Sequence, residues 1–427
     1  MYDKNWGFAT KAIQAGYNPK PGDARILPIY QSTTYYYDDA DHVAGLFDLE
    51  VPGHMYSRIS NPTVEAFEHK VAALEGGVGA LATSSGQAAA TIAILNICSA
   101  GEHFVALSTL YGGTYTLFSV TLKKIGIEVT FINPEADEAD IKAAFRPNTK
   151  ALYAETIGNP GINVFDFEKF GKIAREYGVP LIVDNTFPTP YLCRPFEHGA
   201  NIVVHSTTKY IDGQARTLGG VIVDAGNFDW SNGNFPGLTE PDPAYHGLRY
   251  VEAFGEVAYI TKARVQFMRD LGAVMNAEVA FTLHMSLETL ALRMVRHSEN
   301  ALALAKYLQN NDKVAWVNYP ALEGNPSYSL SQKYLPLGSS GMLTFALKGG
   351  AKKAKEFINR VKLAALVVHM GDTRTSILHP ASMTHRQLSE AEQISSGVKP
   401  DLIRVSVGIE DISDIINDIE QAINAVS

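Results

Sequence analysis

A lysine carried out of a buried strand, with a carboxylate at the end of another, can do chemistry on an aldehyde cofactor. The lysine is Lys209, reached through Ile202-Val203-Val204 and then His205-Ser206-Thr207-Thr208. The carboxylate is Asp184, which closes the apolar run Val179-Pro180-Leu181-Ile182-Val183. Pyridoxal phosphate asks for both groups. The amine forms the Schiff base, and the acid keeps the pyridine nitrogen protonated so that the ring serves as an electron sink. Ser206 and Thr208, on alternate positions, can bond the phosphate. The plainer reading is an exposed lysine after a strand, with Asp184 as a helix cap. A second motif favours the cofactor: Thr83-Ser84-Ser85-Gly86-Gln87 runs into Ala88-Ala89-Ala90-Thr91-Ile92-Ala93-Ile94-Leu95. A glycine there lets the backbone approach an anion, and a starting helix offers free N–H groups and the positive end of its dipole.

Such groups need a sheet to hold them. Strand-like runs at Phe104–Leu107, Glu128–Ile132, Ala151–Thr156, Leu181–Asp184 and Ile202–His205 alternate with helical stretches. That alternation predicts an α/β fold with a mostly parallel sheet, whose ligands lie beyond the carboxyl ends of the strands. The charge-free stretch Gly76–Gly101 reads as strand, polar turn and buried helix, because its glycines and polar residues argue against a membrane span. Phe254–Met275 and Leu287–Gln309 read as long helices. Ile412, Ile415, Ile416, Ile419 and Ile423 form an apolar stripe at helical spacing, read as core packing. Residues 1–60 look like an extended arm without helical period. A net charge of −9 argues against nucleic-acid or anionic-membrane partners. Two cysteines, Cys98 and Cys193, form no disulfide framework and favour a reducing cytoplasm. Met1–Thr10 has charges and no apolar core, so no secretory signal is expected.

Pro28-Ile29-Tyr30-Gln31-Ser32-Thr33, Tyr56-Ser57-Arg58-Ile59-Ser60-Asn61-Pro62-Thr63 and Leu402-Ile403-Arg404-Val405-Ser406-Val407-Gly408 join these motifs. Together they make the chain resemble the pyridoxal-phosphate enzymes of cysteine and methionine metabolism, over essentially its whole length. The resemblance implies an aspartate-aminotransferase-like fold, with an arm over 1–60, a cofactor-binding large domain over 61–255 and a smaller α+β domain over 256–427. It implies that Tyr111, otherwise as readily core filler, stacks on the cofactor ring and moves protons. It implies that Asn159, otherwise a turn residue before Pro160, bonds the cofactor's phenolic oxygen. Arg404 lies in a period-2 strand, where a structural salt bridge is the alternative; by resemblance it anchors the substrate carboxylate. Tyr56 and Arg58 are implied to reach a neighbouring subunit's phosphate, in a homotetramer built from dimers. His369, His379 and His385 match no zinc spacing. His379–His385 resembles a signature at the substrate end of the site. His369 departs from the small polar residue usual in the family, which leaves open whether its imidazole enters the substrate pocket.

Three features favour the family's sulfhydrylases, which act on O-acetylhomoserine and sulfide to give homocysteine. Gly113 stands where methionine γ-lyases carry a cysteine. Gln87 stands where lyases more often have methionine. The segment Asn234–Val257 is long. The alternatives are methionine γ-lyase, a cystathionine or O-succinylhomoserine enzyme, and a catalytically silent cofactor-binding protein.

Overall fold

The computed structural model describes residues 3–384, 386, 393 and 397–426. Seven strands form the large sheet: β1 (Gly79–Thr83), β2 (His103–Leu107), β3 (Glu128–Ile132), β4 (Thr149–Glu155), β5 (Leu181–Asp184), β6 (Ile202–Ser206) and β7 (Gly220–Asp224). Their order is β1-β7-β6-β5-β4-β2-β3. The five from β6 to β3 are parallel, and β7 runs antiparallel between β1 and β6. Both faces are covered, which is why the strands read as apolar runs rather than as alternation. Val105, Leu152, Ala154, Leu181, Val183 and Val203 pack on one face. Phe104, Ala106, Tyr153, Ile182, Ile202 and Val204 pack on the other.

A second sheet, order β10-β11-β12-β9-β8, comprises β8 (Val314–Asn318), β9 (Met342–Leu347), β10 (Ala365–Leu366), β11 (Ser376–Leu378) and β12 (Ile403–Ser406). Leu343, Phe345, Ile403 and Val405 bury one face against Leu304, Phe357, Ile415, Ile419 and Ile423. The isoleucine stripe is thus core of the helix Ile412–Ala425. The other face carries a row in register: Arg404 on β12, Thr344 on β9 and Asn318 on β8.

Four sequence expectations need correction. Residues 1–60 contain two helices, Phe8–Gln14 and Ala40–Phe47; the second starts where the Asp39 carboxylate accepts the His42 N–H at 2.7 Å. The helix expected over Phe254–Met275 begins only at Ala258, after Gly255 at φ +54°, and stops at Leu271 before left-handed Gly272. The helix expected over Leu287–Gln309 is present as Leu290–Gln309, but the helix before it, Ala277–Leu287, was not among those expected. Strand β7 follows a glycine pair and was not among the strands expected. Among the described residues no helix is long and apolar enough to cross a membrane.

Candidate active site

Parallel β4, β5 and β6 end side by side, with Glu155 in register with Asp184, and Asp184 with Val204. Their ends open into a cavity of about 230 Å³. Of the residues expected at the site, Ser85, Gly86, Gln87, Tyr111, Asn159, Asp184, Ser206, Thr208 and Lys209 all line it. At one end the helix Gly86–Leu95 begins: Ser85 caps it by accepting the Ala88 N–H at 3.1 Å. The N–H groups of Gly86 and Gln87 have no partner among the described residues. A Cβ on Gly86 would lie 2.6 Å from that of Ser206, so only glycine lets the helix start sit against the lysine turn. Two N–H groups and the Ser206 hydroxyl thus converge, which suits a phosphate dianion. The Thr208 hydroxyl is already engaged: it accepts the Gly219 N–H at 3.1 Å and reaches the Gly219 carbonyl at 3.2 Å. To donate to a phosphate it must turn its hydrogen away from that carbonyl.

Lys209 follows the Ser206 turn, its N–H donating to the Ser206 carbonyl at 3.2 Å. Burial, then the nearby Arg404 cation, brings its amine down to about 8. Asp184 Oδ1 accepts from the Thr186 N–H (2.9 Å) and hydroxyl (2.5 Å). Burial raises this carboxyl, against those donors and His205. A pyridinium N–H facing it would favour the carboxylate again. Behind the strand ends, Thr156 donates to Asn185 Oδ1 (2.9 Å) and Asn185 to Glu75 Oε1 (3.1 Å), which lies 2.5 Å from His205 Nε2.

Arg404 is buried and makes no ion pair among the described residues; its Nη1 donates to Asn159 Oδ1 at 2.9 Å. Burial lowers it to about 10. With Asn159 Oδ1 engaged, its Nδ2 remains without a partner among the described residues, free to donate into the cavity. The donor set therefore fits pyridoxal phosphate at one end and an amino-acid carboxylate at the other.

Sequence reasoning missed Glu155. Its Oε1 accepts the Tyr111 N–H at 2.7 Å, and its carboxyl also accepts from the Asn159 backbone. Burial and the neighbouring Asp184 push it well above the usual carboxylate range. The signal was present: like Asp184, it is an acid closing an apolar run. Thr114, Ile157, Thr186, Phe187, Leu218 and Met370 complete the lining.

Tyr56 and Arg58 are not brought to this cavity. Arg58 stacks 5.3 Å from the centre of the Tyr56 ring and donates to the Arg269 carbonyl at 2.7 Å, in a separate crevice with Tyr30, Asn61 and Asn276. His369 stands beside the cavity rather than in its lining. It is half-buried, with Nε2 shielded and without a partner among the described residues, and burial and Lys209 lower its pKa. His379 is held by Ser382 Oγ and the Pro400 carbonyl, both at 2.8 Å. His385 lies outside the described residues.

Known proteins share this arrangement along its length. An O-acetyl-L-homoserine sulfhydrylase from Leptospira meyeri is 47% identical over 99% of this chain and 98% of its own. A homocysteine synthase from Schizosaccharomyces pombe is 49% identical over 97% and 98%. A solved Campylobacter jejuni structure, described as an O-acetylhomoserine (thiol)-lyase with N'-pyridoxyl-lysine-5'-monophosphate, superposes with a TM-score of 0.95. It is 36% identical and covers 98% of this chain and 100% of its own. The family model for Cys/Met metabolism PLP-dependent enzymes matches residues 9–424. Both strand-end groups, the helix start and the second sheet with its arginine fall inside that match, and the chain belongs to this family of pyridoxal-phosphate enzymes.

Proposed function

We propose that this chain exchanges the acetate of O-acetyl-L-homoserine for sulfide, giving L-homocysteine for methionine biosynthesis, with pyridoxal phosphate as cofactor. Arg404 carries the reading. A buried guanidinium without an acid partner among the described residues, within electrostatic reach of the Lys209 amine, calls for an anionic substrate group. An α-carboxylate matches its fork bidentately. The sulfhydrylase and homocysteine synthase relatives supply the reaction.

Pyridoxal phosphate, when bound, supplies the electron sink for charge developing beside the substrate nitrogen. Ser85, Gly86, Gln87 and Ser206 hold its phosphate, Asp184 its ring nitrogen and Asn159 Nδ2 its phenolic oxygen. Arg404 fixes the substrate carboxylate. Lys209 Nζ, poised near neutrality, takes the proton from Cα and then from Cβ, and returns protons there at the end. Tyr111, with its backbone tied to Glu155, serves the γ-end, where the bond from Cγ to acetate oxygen gives way to one from Cγ to sulfur. A Cβ on Gly113 would fall 2.5 Å from the Tyr111 ring. This placement of Tyr111 leaves no room for the cysteine of the methionine γ-lyases.

Tyr56 and Arg58, outside the cavity of their own chain, complete the phosphate site of a neighbour, in dimers paired into a homotetramer. Arg58 supports this: it has no acid partner among the described residues. The buried free thiols Cys98 and Cys193 fit a reducing cytoplasm. The test is a product assay with O-acetyl- and O-succinylhomoserine, each with and without sulfide. Sulfide-dependent homocysteine from the acetyl ester is expected. Preference for the succinyl ester, or α-ketobutyrate released from methionine as fast, overturns the reading.

A further inference from the structure

The turn that carries Asn159 is clamped at three points, two from the second sheet and one from the loop that follows β8. It is the tip of a narrow loop closed by the Ile157–Val164 bridge. Arg404 holds Asn159 at its start. Asn318 Nδ2, at the end of β8, donates to the Gly161 carbonyl at 2.7 Å in its middle. The Ser327 hydroxyl accepts the Val164 N–H at 3.1 Å at its far end. Asn318 is itself oriented: Asn325 Nδ2 donates to its Oδ1 at 2.7 Å, which leaves the Asn318 amide hydrogens for Gly161. Asn325 Oδ1 in turn accepts the Ser327 N–H at 2.9 Å, so the second and third clamps are coupled.

This matters because Asn159 is shared. Its Oδ1 holds Arg404 while its Nδ2 faces the cavity, so any shift of the turn moves the guanidinium and the cofactor ligand together. Thr344, between Asn318 and Arg404 in the row, is fully buried and its hydroxyl has no partner among the described residues, so it offers no substitute anchor. Among the described residues, Asn318 alone pins the middle of the turn from outside it. We propose that Asn318, although it touches neither cofactor nor substrate, is a positioning residue that presets the Asn159–Arg404 pair to receive the substrate carboxylate.

The inference rests on the γ-replacement reading, and its test separates the two. Asn318→Asp keeps the shape and the acceptor for Asn325 but removes the donor to Gly161. In the holoenzyme, KM for O-acetylhomoserine should rise about tenfold while kcat stays within about twofold, the pattern of lost pre-positioning rather than lost chemistry. A merely structural role would not produce that split. Amide hydrogen exchange at Gly158 and Ile162, whose N–H groups close the turn on Asn163 and Gly158, should quicken about tenfold with or without cofactor. Faster exchange with unchanged KM, or unchanged exchange, overturns the proposal. Should Asn318→Asp fail to fold, Asn325→Ala decides: it must give the same split and the same local exchange, more weakly. Wild-type protein that makes no homocysteine sinks the reaction reading instead, and the exchange data still tell whether Asn318 holds the turn.

Discussion

At the scale of single residues, burial sets the charge of the groups that matter. Lys209 sits at about 8 because desolvation and Arg404 both disfavour its cation. In cofactor-free protein its amine should therefore react with an acylating reagent with a midpoint near pH 8, below which the protonated form is inert. A midpoint near the ordinary lysine value of 10.5 would show that the amine is solvated. Lys209→Ala should fold yet lose at least ~10³-fold in turnover, since covalent link and proton carrier go together. Glu155 permits a finer test. Burial and Asp184 raise its pKa, and its carboxyl accepts two backbone N–H groups. Glu155→Gln, neutral and still an acceptor, should keep activity within about threefold, whereas Glu155→Ala should lose about tenfold by freeing the Tyr111 turn. Steady-state kinetics on both variants decides; equal losses would mean that the charge of Glu155, not its hydrogen bonds, is what counts.

Elements bring these residues together through the ends of three parallel strands. The line Thr156–Asn185–Glu75–His205 ties those ends from behind, inside a fully buried layer. Asn185→Ala removes the bonds of the buried Thr156 hydroxyl and the Cys193 carbonyl, so it should lower unfolding free energy by about 1–3 kcal/mol in urea titration. A change below ~0.5 kcal/mol would show that the network does not hold the sheet. This layout also explains what could be read beforehand. Strands β3 and β5 were legible to the residue: burial on both faces leaves β5 an uninterrupted apolar run, and the half-buried edge strand β3 still carries the β-branched and aromatic run Val129-Thr130-Phe131-Ile132. Asp184 and Lys209 were legible because a polar group closing such a run is conspicuous. Glu155 had the same mark but lay beside Asn159, which drew the eye. The helix Ala40–Phe47 was missed because its signal is one cap, Asp39, amid glycines and aromatics. Asn318 could not be found at all: its meaning comes from pairing β8 with β9 and β12, between segments tens of residues apart, and local pattern carries no such information.

For the whole molecule the decisive question is whether one chain holds a complete site. At its phosphate end its own cavity offers two N–H groups and the Ser206 hydroxyl, but among the described residues that line it the only cation is Lys209, which the aldehyde consumes. A dianion so held needs charge from elsewhere, and Arg58 has charge without an acid partner among the described residues. If Arg58 serves a neighbour, two defective chains can repair one another. In a hybrid of Arg58→Ala and Lys209→Ala subunits, one site carries both defects and the other neither. Random exchange makes half the dimers hybrid, so the mixture should recover about a quarter of wild-type activity although each parent is nearly inactive. Subunits must be exchanged under mild denaturant, and exchange confirmed by a mass or affinity tag on one parent. Confirmed hybrids with no recovered activity would place Arg58 outside the shared site, and the phosphate would then have to be held by the helix start and hydroxyls alone. Recovery near a quarter, falling as either parent is put in excess, is the signature of sites built from two chains.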